Sequence, residues 1–340
     1  MGKRGVEKME KVRYGVIGVG FFGEKHIEVL STLPDVEVVA VCRRSIEPLK
    51  KIAQEYNIPN IYTDYRELLA NKEIDAVSIT THIDDHLQPT VDALKAGKHV
   101  FLEKPMAKSV AECDEIIKTV QSTDKLFMVG HICRFDPRIS LAKEAVEEGR
   151  IGEIVSMHAT RNLPANIGAE VLNKISPLMG DGIHDTDIML WFTKSKVKTV
   201  YAQTLSVRNF KYPDIGWAMY RFESGAIGVI ETIWFLPENT MFTIDARMEI
   251  IGTKGAIYID CGNTGLTIND RIGIHKQDTG YWPRLFGNRV GALRNELIYF
   301  INCIKTNKTP DVITPEESRE AVRVIEAAEK SAETNKIVTL

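Results

Sequence analysis

Residues 99–105 read His-Val-Phe-Leu-Glu-Lys-Pro, an apolar run that stops at two charges and a proline. The run suits a strand buried on both faces. In open α/β sheets ligands settle beyond the carboxyl ends of the strands, so Glu103 and Lys104 are expected to face a bound molecule, with Pro105 fixing the backbone behind them. An ammonium group so placed can stabilise negative charge developing on a reacting oxygen.

A second constellation lies at 180–187, Gly-Asp-Gly-Ile-His-Asp-Thr-Asp, where three carboxylates surround one imidazole. If the segment is helical from Gly180, successive i, i+3 steps put Asp181, His184 and Asp187 on one face. A carboxylate beside an imidazole orients it and stabilises its protonated form, which is what general acid/base chemistry needs. The plainer alternative is a helix N-terminus enriched in Asp with a chemically idle histidine.

The third is Gly18-Val19-Gly20-Phe21-Phe22-Gly23, which follows the apolar run at 14–17 and opens a helical pattern carrying Ile27, Leu30 and Leu33. In this spacing the first glycine allows a tight turn, the second lets backbone approach a pyrophosphate, and the third permits close helix packing. The helix N-terminus offers N–H groups and a positive dipole end to phosphates, so residues 18, 20, 21, 22 and 23 are assigned to a dinucleotide cofactor. An NAD-preferring site would show Asp or Glu about 20 residues further on. The sequence has Cys42-Arg43-Arg44-Ser45 there. Guanidinium groups suit a 2′-phosphate, so Arg43 and Arg44 favour NADP over NAD, the alternative being an exposed basic loop. His82 and His86 flank Asp84 and Asp85 at i, i+4, but no Cys or third His follows at ligand spacing, and no metal is expected.

Between residues 12 and 129 these motifs are carried by short apolar runs at 12–17, 36–41, 76–80, 99–102 and 126–129, alternating with amphipathic helical patterns. That alternation is the signature of a doubly wound parallel sheet. After Gly130 the pattern changes to a helix at 137–148, a strand at 154–161, and two hairpins at 217–235 and 248–259, which predict an antiparallel sheet. A polar-faced helix over 315–334 closes the chain. The expected division is 1–130 and 131–340, with a closing helix able to return to the first domain.

With 340 residues, 44% of them hydrophobic and 26% charged, the chain has the composition of a globular protein of two domains. A net charge of -3 gives no electrostatic case for nucleic acid or a membrane surface. Five scattered cysteines with no Cys-x-x-Cys pair point to reduced thiols and a cytoplasmic address. The first ten residues have no apolar core of a secretory signal, and Val6 stands where a myristoylation motif needs Ser or Thr.

The motif Gly18-x-Gly20-x-x-Gly23-x-x-His26, the run from Ala96 through Glu103-Lys104-Pro105, the stretch Arg134-Phe135-Asp136-Pro137 and the pair His184-x-x-Asp187 together resemble the glucose-fructose oxidoreductase / inositol dehydrogenase (Gfo/Idh/MocA) family. The resemblance covers essentially the whole chain. It implies a Rossmann domain followed by an α/β domain with a large open, mainly antiparallel sheet that mediates homodimers or homotetramers. It implies NAD(P)-dependent hydride transfer at a secondary alcohol of a sugar, nucleotide sugar or cyclitol, with Lys104 and His184 at the reacting hydroxyl. Thr80, Thr81, His86, Glu103, Lys104 and Arg134 would then contact the cofactor, and Lys104, Arg161, Asn162, Asp181 and His184 the substrate. The family's usual acid lies four residues before the histidine, where this sequence has Gly180; either a local turn brings Asp181 into that role or the role is lost. The stretch 129–137 resembles members acting on nucleotide-linked amino sugars. Rival readings within the same fold are an NAD-dependent glycosidase working by transient oxidation and elimination, and a non-catalytic NADP-sensing regulator.

Overall fold

The computed structural model describes residues 11–271 and 273–340, so the expectations for the first ten residues lie outside it. By contact density the chain divides into two units, neither of them continuous. The first takes the described residues through Lys104 together with Glu115–Gly130 and Arg284–Asp311. The second takes Pro105–Asp114, His131–Pro283 and Val312–Leu340.

The first unit is built on six strands: β1 (Val12–Ile17), β2 (Val36–Cys42), β3 (Asn60–Tyr62), β4 (Ala76–Ile79), β5 (His99–Glu103) and β6 (Phe127–Gly130). They pair in the order β3-β2-β1-β4-β5-β6, every pair parallel. The expected parallel sheet is therefore present, with one strand more than the apolar runs marked. Val100, Phe101 and Leu102 are completely buried, as a central parallel strand requires. Strand order reverses between β1 and β4, which makes the carboxyl ends of these two strands the switch point where such sheets bind ligands. The helices α1 (Phe21–Leu30), α2 (Ile46–Glu55), α3 (Tyr65–Ala70) and α4 (Leu87–Lys95) form the crossovers, followed by α5 (Val110–Gln121). Asp64 caps α3 by accepting from the Arg66 amide.

The second unit holds α6 (Pro137–Glu147), β7 (Ile154–Asn162), α7 (Ala165–Val171), a π-helical turn at Leu178–Gly182, and α8 (Ile183–Thr193). The strands β8 (Val197–Leu205), β9 (Ile215–Phe222), β10 (Ile227–Ile233), β11 (Asp245–Gly252) and β12 (Ala256–Asp260) follow. Two small hairpins, β13 (Thr267–Asp270) with β14 (Gly273–Lys276) and β15 (Arg284–Leu285) with β16 (Asn288–Arg289), precede α9 (Ala292–Thr306), α10 (Pro315–Thr334) and β17 (Val338–Thr339). The large sheet has the order β12-β11-β7-β10-β9-β8-β17. It is antiparallel except for β7 with β10, a pair whose intervening chain is long enough to return in the same direction. Along β9, Ala218, Tyr220 and Phe222 are buried while Trp217 and Met219 are 40% and 49% exposed, so one face of the sheet stays open.

One helix departs from a single boundary at residue 130, and the closing helix does not return across it. α9 clusters with the first unit, where Phe300 meets Phe101 edge-on at 5.7 Å between ring centroids. α10 clusters with the second, begun by a full capping box between Thr314 and Glu317 with Pro315 in the first turn.

Candidate functional site

In the first unit the glycine turn folds back on the end of β4. Gly18 has φ +93°, and a Cβ there would stand 2.6 Å from the Thr81 amide nitrogen. A Cβ on Gly23 would stand 2.6 Å from Thr80 Oγ1 and 2.7 Å from the Gly18 carbonyl oxygen. Thr80 Oγ1 donates to the Gly18 carbonyl at 2.9 Å, which ties the two strand ends together. Gly20 differs: the nearest atom to its would-be Cβ is the Gly18 oxygen at 3.9 Å. The first and third glycines are thus needed by the protein itself, and the second leaves its approach open. This fits a pyrophosphate seated at the N-terminus of α1. Phe21 is 74% exposed, with the Lys25 ammonium over its ring at 3.2 Å, while the Phe22 ring packs on His26. Burial, then Arg289, pushes Lys25 down to about 8.

Thr81 Oγ1 donates to the Asp85 carbonyl at 2.9 Å, and His86 Nε2 lies 3.1 Å from the Thr81 carbonyl, so these residues brace the segment after β4. Arg44 pairs with Asp85 on the surface, and Arg43 is half-buried after β2. Among the described residues no group of three or more His, Cys, Asp or Glu is arranged to hold a metal ion.

Glu103 does not stand as expected. It is 7% exposed and turns toward α1, where its Oε1 meets His26 Nε2 at 3.1 Å. His26 Nδ1 reaches Ser78 Oγ at 3.0 Å, and Ser78 donates to Tyr14 Oη at 3.2 Å. A strand buried on both faces gives a carboxylate at its last position no route to solvent, so it is satisfied inside. Glu296 of α9 is also fully buried in this unit, and burial followed by the Glu103 charge holds its carboxyl well above the ordinary range. Lys104, the next residue on, is half-buried at the carboxyl end of β5.

In the second unit the residues expected on one helical face take separate partners. The π turn at Leu178–Gly182 breaks the assumed α register ahead of His184. Trp234 Nε1 donates to Asp181 Oδ2 at 2.8 Å. His184 Nδ1 lies 3.6 Å from Cys133 Sγ, a thiol that burial pushes up to about 12. Asp187 receives Arg134 Nη2 at 2.7 Å and Nε at 2.9 Å, with His131 Nδ1 at 3.6 Å. Burial raises the Asp187 pKa, but Arg134 and His131 outweigh it and hold the carboxyl below its ordinary value.

Three residues expected to face a ligand are placed differently. Arg134 is 2% exposed, and besides Asp187 it donates to the Val312 carbonyl at 2.6 Å and to Glu317, at the start of α10. Arg161 is paired with Asp185 through two hydrogen bonds of 2.9 and 3.0 Å and donates to Tyr281 Oη at 3.2 Å. The Asn162 amide is engaged by Glu231 and by the Ile233 amide. Buried guanidinium groups need carboxylates, and Asp185 and Asp187 serve that need. Tyr14, Ser78 and Trp234 escape sequence reasoning. The one signal for Trp234 is its place immediately after an apolar strand.

Residues 12–131 match the family described as "Oxidoreductase family, NAD-binding Rossmann fold", and residues 139–258 match the "GFO/IDH/MocA C-terminal domain". The chain is 28% identical over 336 residues to the myo-inositol 2-dehydrogenase of Thermotoga maritima, covering 97% of this chain and 98% of that one. It is 29% identical over 314 residues to the scyllo-inositol 2-dehydrogenase (NAD(+)) of Bacillus subtilis, covering 89% of each. The crystal structure of apo scyllo-inositol dehydrogenase from Lactobacillus casei superposes with a TM-score of 0.85 at 25% identity, over 97% of this chain and 98% of that one.

Proposed function

The chain belongs to the Gfo/Idh/MocA family of NAD-binding oxidoreductases, and on that premise we propose that it oxidises or reduces a secondary alcohol on a cyclitol or sugar ring, an inositol first among them. The observation that carries the reading is within one sheet. The open approach at Gly20 and the ammonium group of Lys104 both stand at the carboxyl ends of its strands.

When bound, the nicotinamide supplies the hydride acceptor or donor. Lys104 hydrogen-bonds the reacting oxygen and stabilises the charge that develops on it. His184 takes or returns the hydroxyl proton, the exchange that an imidazole side chain is suited to. Asp181 accepts from a substrate hydroxyl. Arg43 and Arg44 support NADP as cofactor, while the Arg44 pairing with Asp85 favours NAD as the second reading. The open sheet face bearing Trp217 and Met219 supports a homodimer or homotetramer, and five buried free thiols support a cytoplasmic setting. Among the described residues no helix is long and apolar enough to cross a membrane.

The test is a fluorescence titration of the purified protein with NADPH and, in parallel, NADH, followed by a turnover screen of inositols and sugars with the tighter cofactor. Tighter NADPH binding supports the arginine reading. Tighter NADH binding assigns the arginines to the surface. Binding of neither, or binding without turnover of any secondary alcohol, overturns the dehydrogenase reading.

A further inference from the structure

Trp234 is clamped in the second unit to a degree that its packing alone does not require. Its side chain is 3% exposed and packs with Leu163 and Leu172, and its backbone is held at both ends. The amide donates to the Asp214 carbonyl at 2.9 Å, and Arg208 Nη2 donates to the Trp234 carbonyl at 2.8 Å. Two glycines make room for it. A Cβ on Gly168 would lie 2.7 Å from the Trp234 Cβ and carbonyl oxygen. A Cβ on Gly180 would lie 2.7 and 2.9 Å from the outer carbons of the indole ring. Fixed on both sides, the ring has one polar atom, and that atom donates to Asp181 Oδ2 at 2.8 Å.

Asp181 stands in the π-helical turn that leads directly into α8, three residues before His184. Without a partner, a half-buried carboxylate on such a turn would sample several rotamers. The indole donor selects one of them, and an ionised carboxylate with two oxygens keeps acceptor capacity after receiving a single N–H. A planar donor locked by packing is the kind of support that holds a ligand-facing group in one geometry.

We propose that Trp234 is a positioning residue, whose indole N–H fixes the Asp181 carboxylate on the His184 turn so that it accepts a hydroxyl of the polyol substrate. The proposal rests on the dehydrogenase reading above and adds to it the residue that aims the carboxylate. Gly180 belongs to the same device, because any side chain there would displace the indole.

The experiment is a double-mutant cycle of W234F, which keeps an aromatic ring and removes the N–H, and D181A, which removes the acceptor and keeps the ring. W234F is expected to raise the polyol KM on the order of 10-fold, the scale of one hydrogen bond to a charged group, with kcat falling less. In the D181A background the same change should add nothing further. An equal effect in both backgrounds means that Trp234 acts only through packing and overturns the proposal. The indole N–H resonance of Trp234, assigned by its loss in W234F, gives a readout that needs no turnover. It must move in D181A, and a resonance that stays in place overturns the proposal whatever the kinetics. If W234F does not fold, D181A alone must both raise KM and shift one of the four indole N–H resonances. A resonance that moves in D181A while the wild-type protein turns over no polyol instead overturns the dehydrogenase reading and, with it, the substrate contact of Asp181.

Discussion

His26 and Glu103, 77 residues apart in sequence, meet at 3.1 Å between α1 and the end of β5. The histidine is fully buried and the carboxylate nearly so. The pair continues through Ser78 to Tyr14, which links α1, β1, β4 and β5 by polar contacts inside an otherwise apolar sheet. A polar network of this kind fixes the packing only while every member is satisfied.

His26→Ala removes a partner from both Glu103 and Ser78. The unmet groups should lower stability by about 1–3 kcal/mol. Urea unfolding checks this as a lower midpoint at unchanged slope, and an unchanged midpoint would show that the network is not load-sharing.

The second and third glycines should separate when each is changed to alanine. Gly23→Ala forces a Cβ against Thr80 Oγ1 and the Gly18 oxygen, so both thermal stability and NADH affinity should fall. Gly20→Ala meets nothing closer than 3.9 Å, so the melting temperature should hold while NADH affinity falls by about 10-fold or more. Calorimetry beside a fluorescence titration distinguishes the two, and a Gly20 variant with wild-type affinity would remove the pyrophosphate from this turn.

Lys104→Met is expected to cut turnover by at least about 100-fold, the scale of losing one stabiliser of developing charge. Cofactor affinity should stay near its wild-type value. Turnover near wild type in this variant would defeat the role given to Lys104.

The Asp187 carboxyl has a folded-state pKa below its ordinary value because Arg134 and His131 outweigh its burial. The stability it contributes is present above the unfolded carboxyl pKa, near about 3.9, and is lost as pH falls through the lower folded value. Arg134→Met leaves the carboxylate buried opposite His131 alone, at a cost of about 3–5 kcal/mol near neutral pH. In the variant the carboxyl pKa rises, so acidification to pH 4.5 should recover part of the loss. Urea midpoints of both proteins at pH 7.5 and 4.5 test the sign, and a gap that widens on acidification would reverse the argument.

The glycine turn, the strand ending in Glu103-Lys104-Pro105 and the change from parallel to antiparallel pairing were legible because each is written locally, in apolar runs and in residues with special backbone needs. β3 was not, since Asn60, Ile61 and Tyr62 form no apolar run and are only half-buried. The charges around His184 misled for a different reason. A sequence shows that three aspartates surround an imidazole but not that Asp185 and Asp187 each neutralise a buried arginine from a distant element. The same holds for Glu103, whose partner His26 precedes it by four strands' worth of chain, and for Trp234, whose role depends on two glycines far from it.

The assignment of α9 to the first unit bears on how the protein is made. Strands β1 to β6 leave the ribosome long before Phe300 and Glu296 do, yet Phe101 is packed against Phe300 in the finished sheet. Synthesis at roughly 5–20 residues per second leaves that apolar face uncovered for roughly 10–30 s while the stretch from His131 to Pro283 of the second unit is being translated. For that interval the nascent first unit exposes apolar surface of the kind that chaperones bind, and its last helix arrives before α10 completes the other unit.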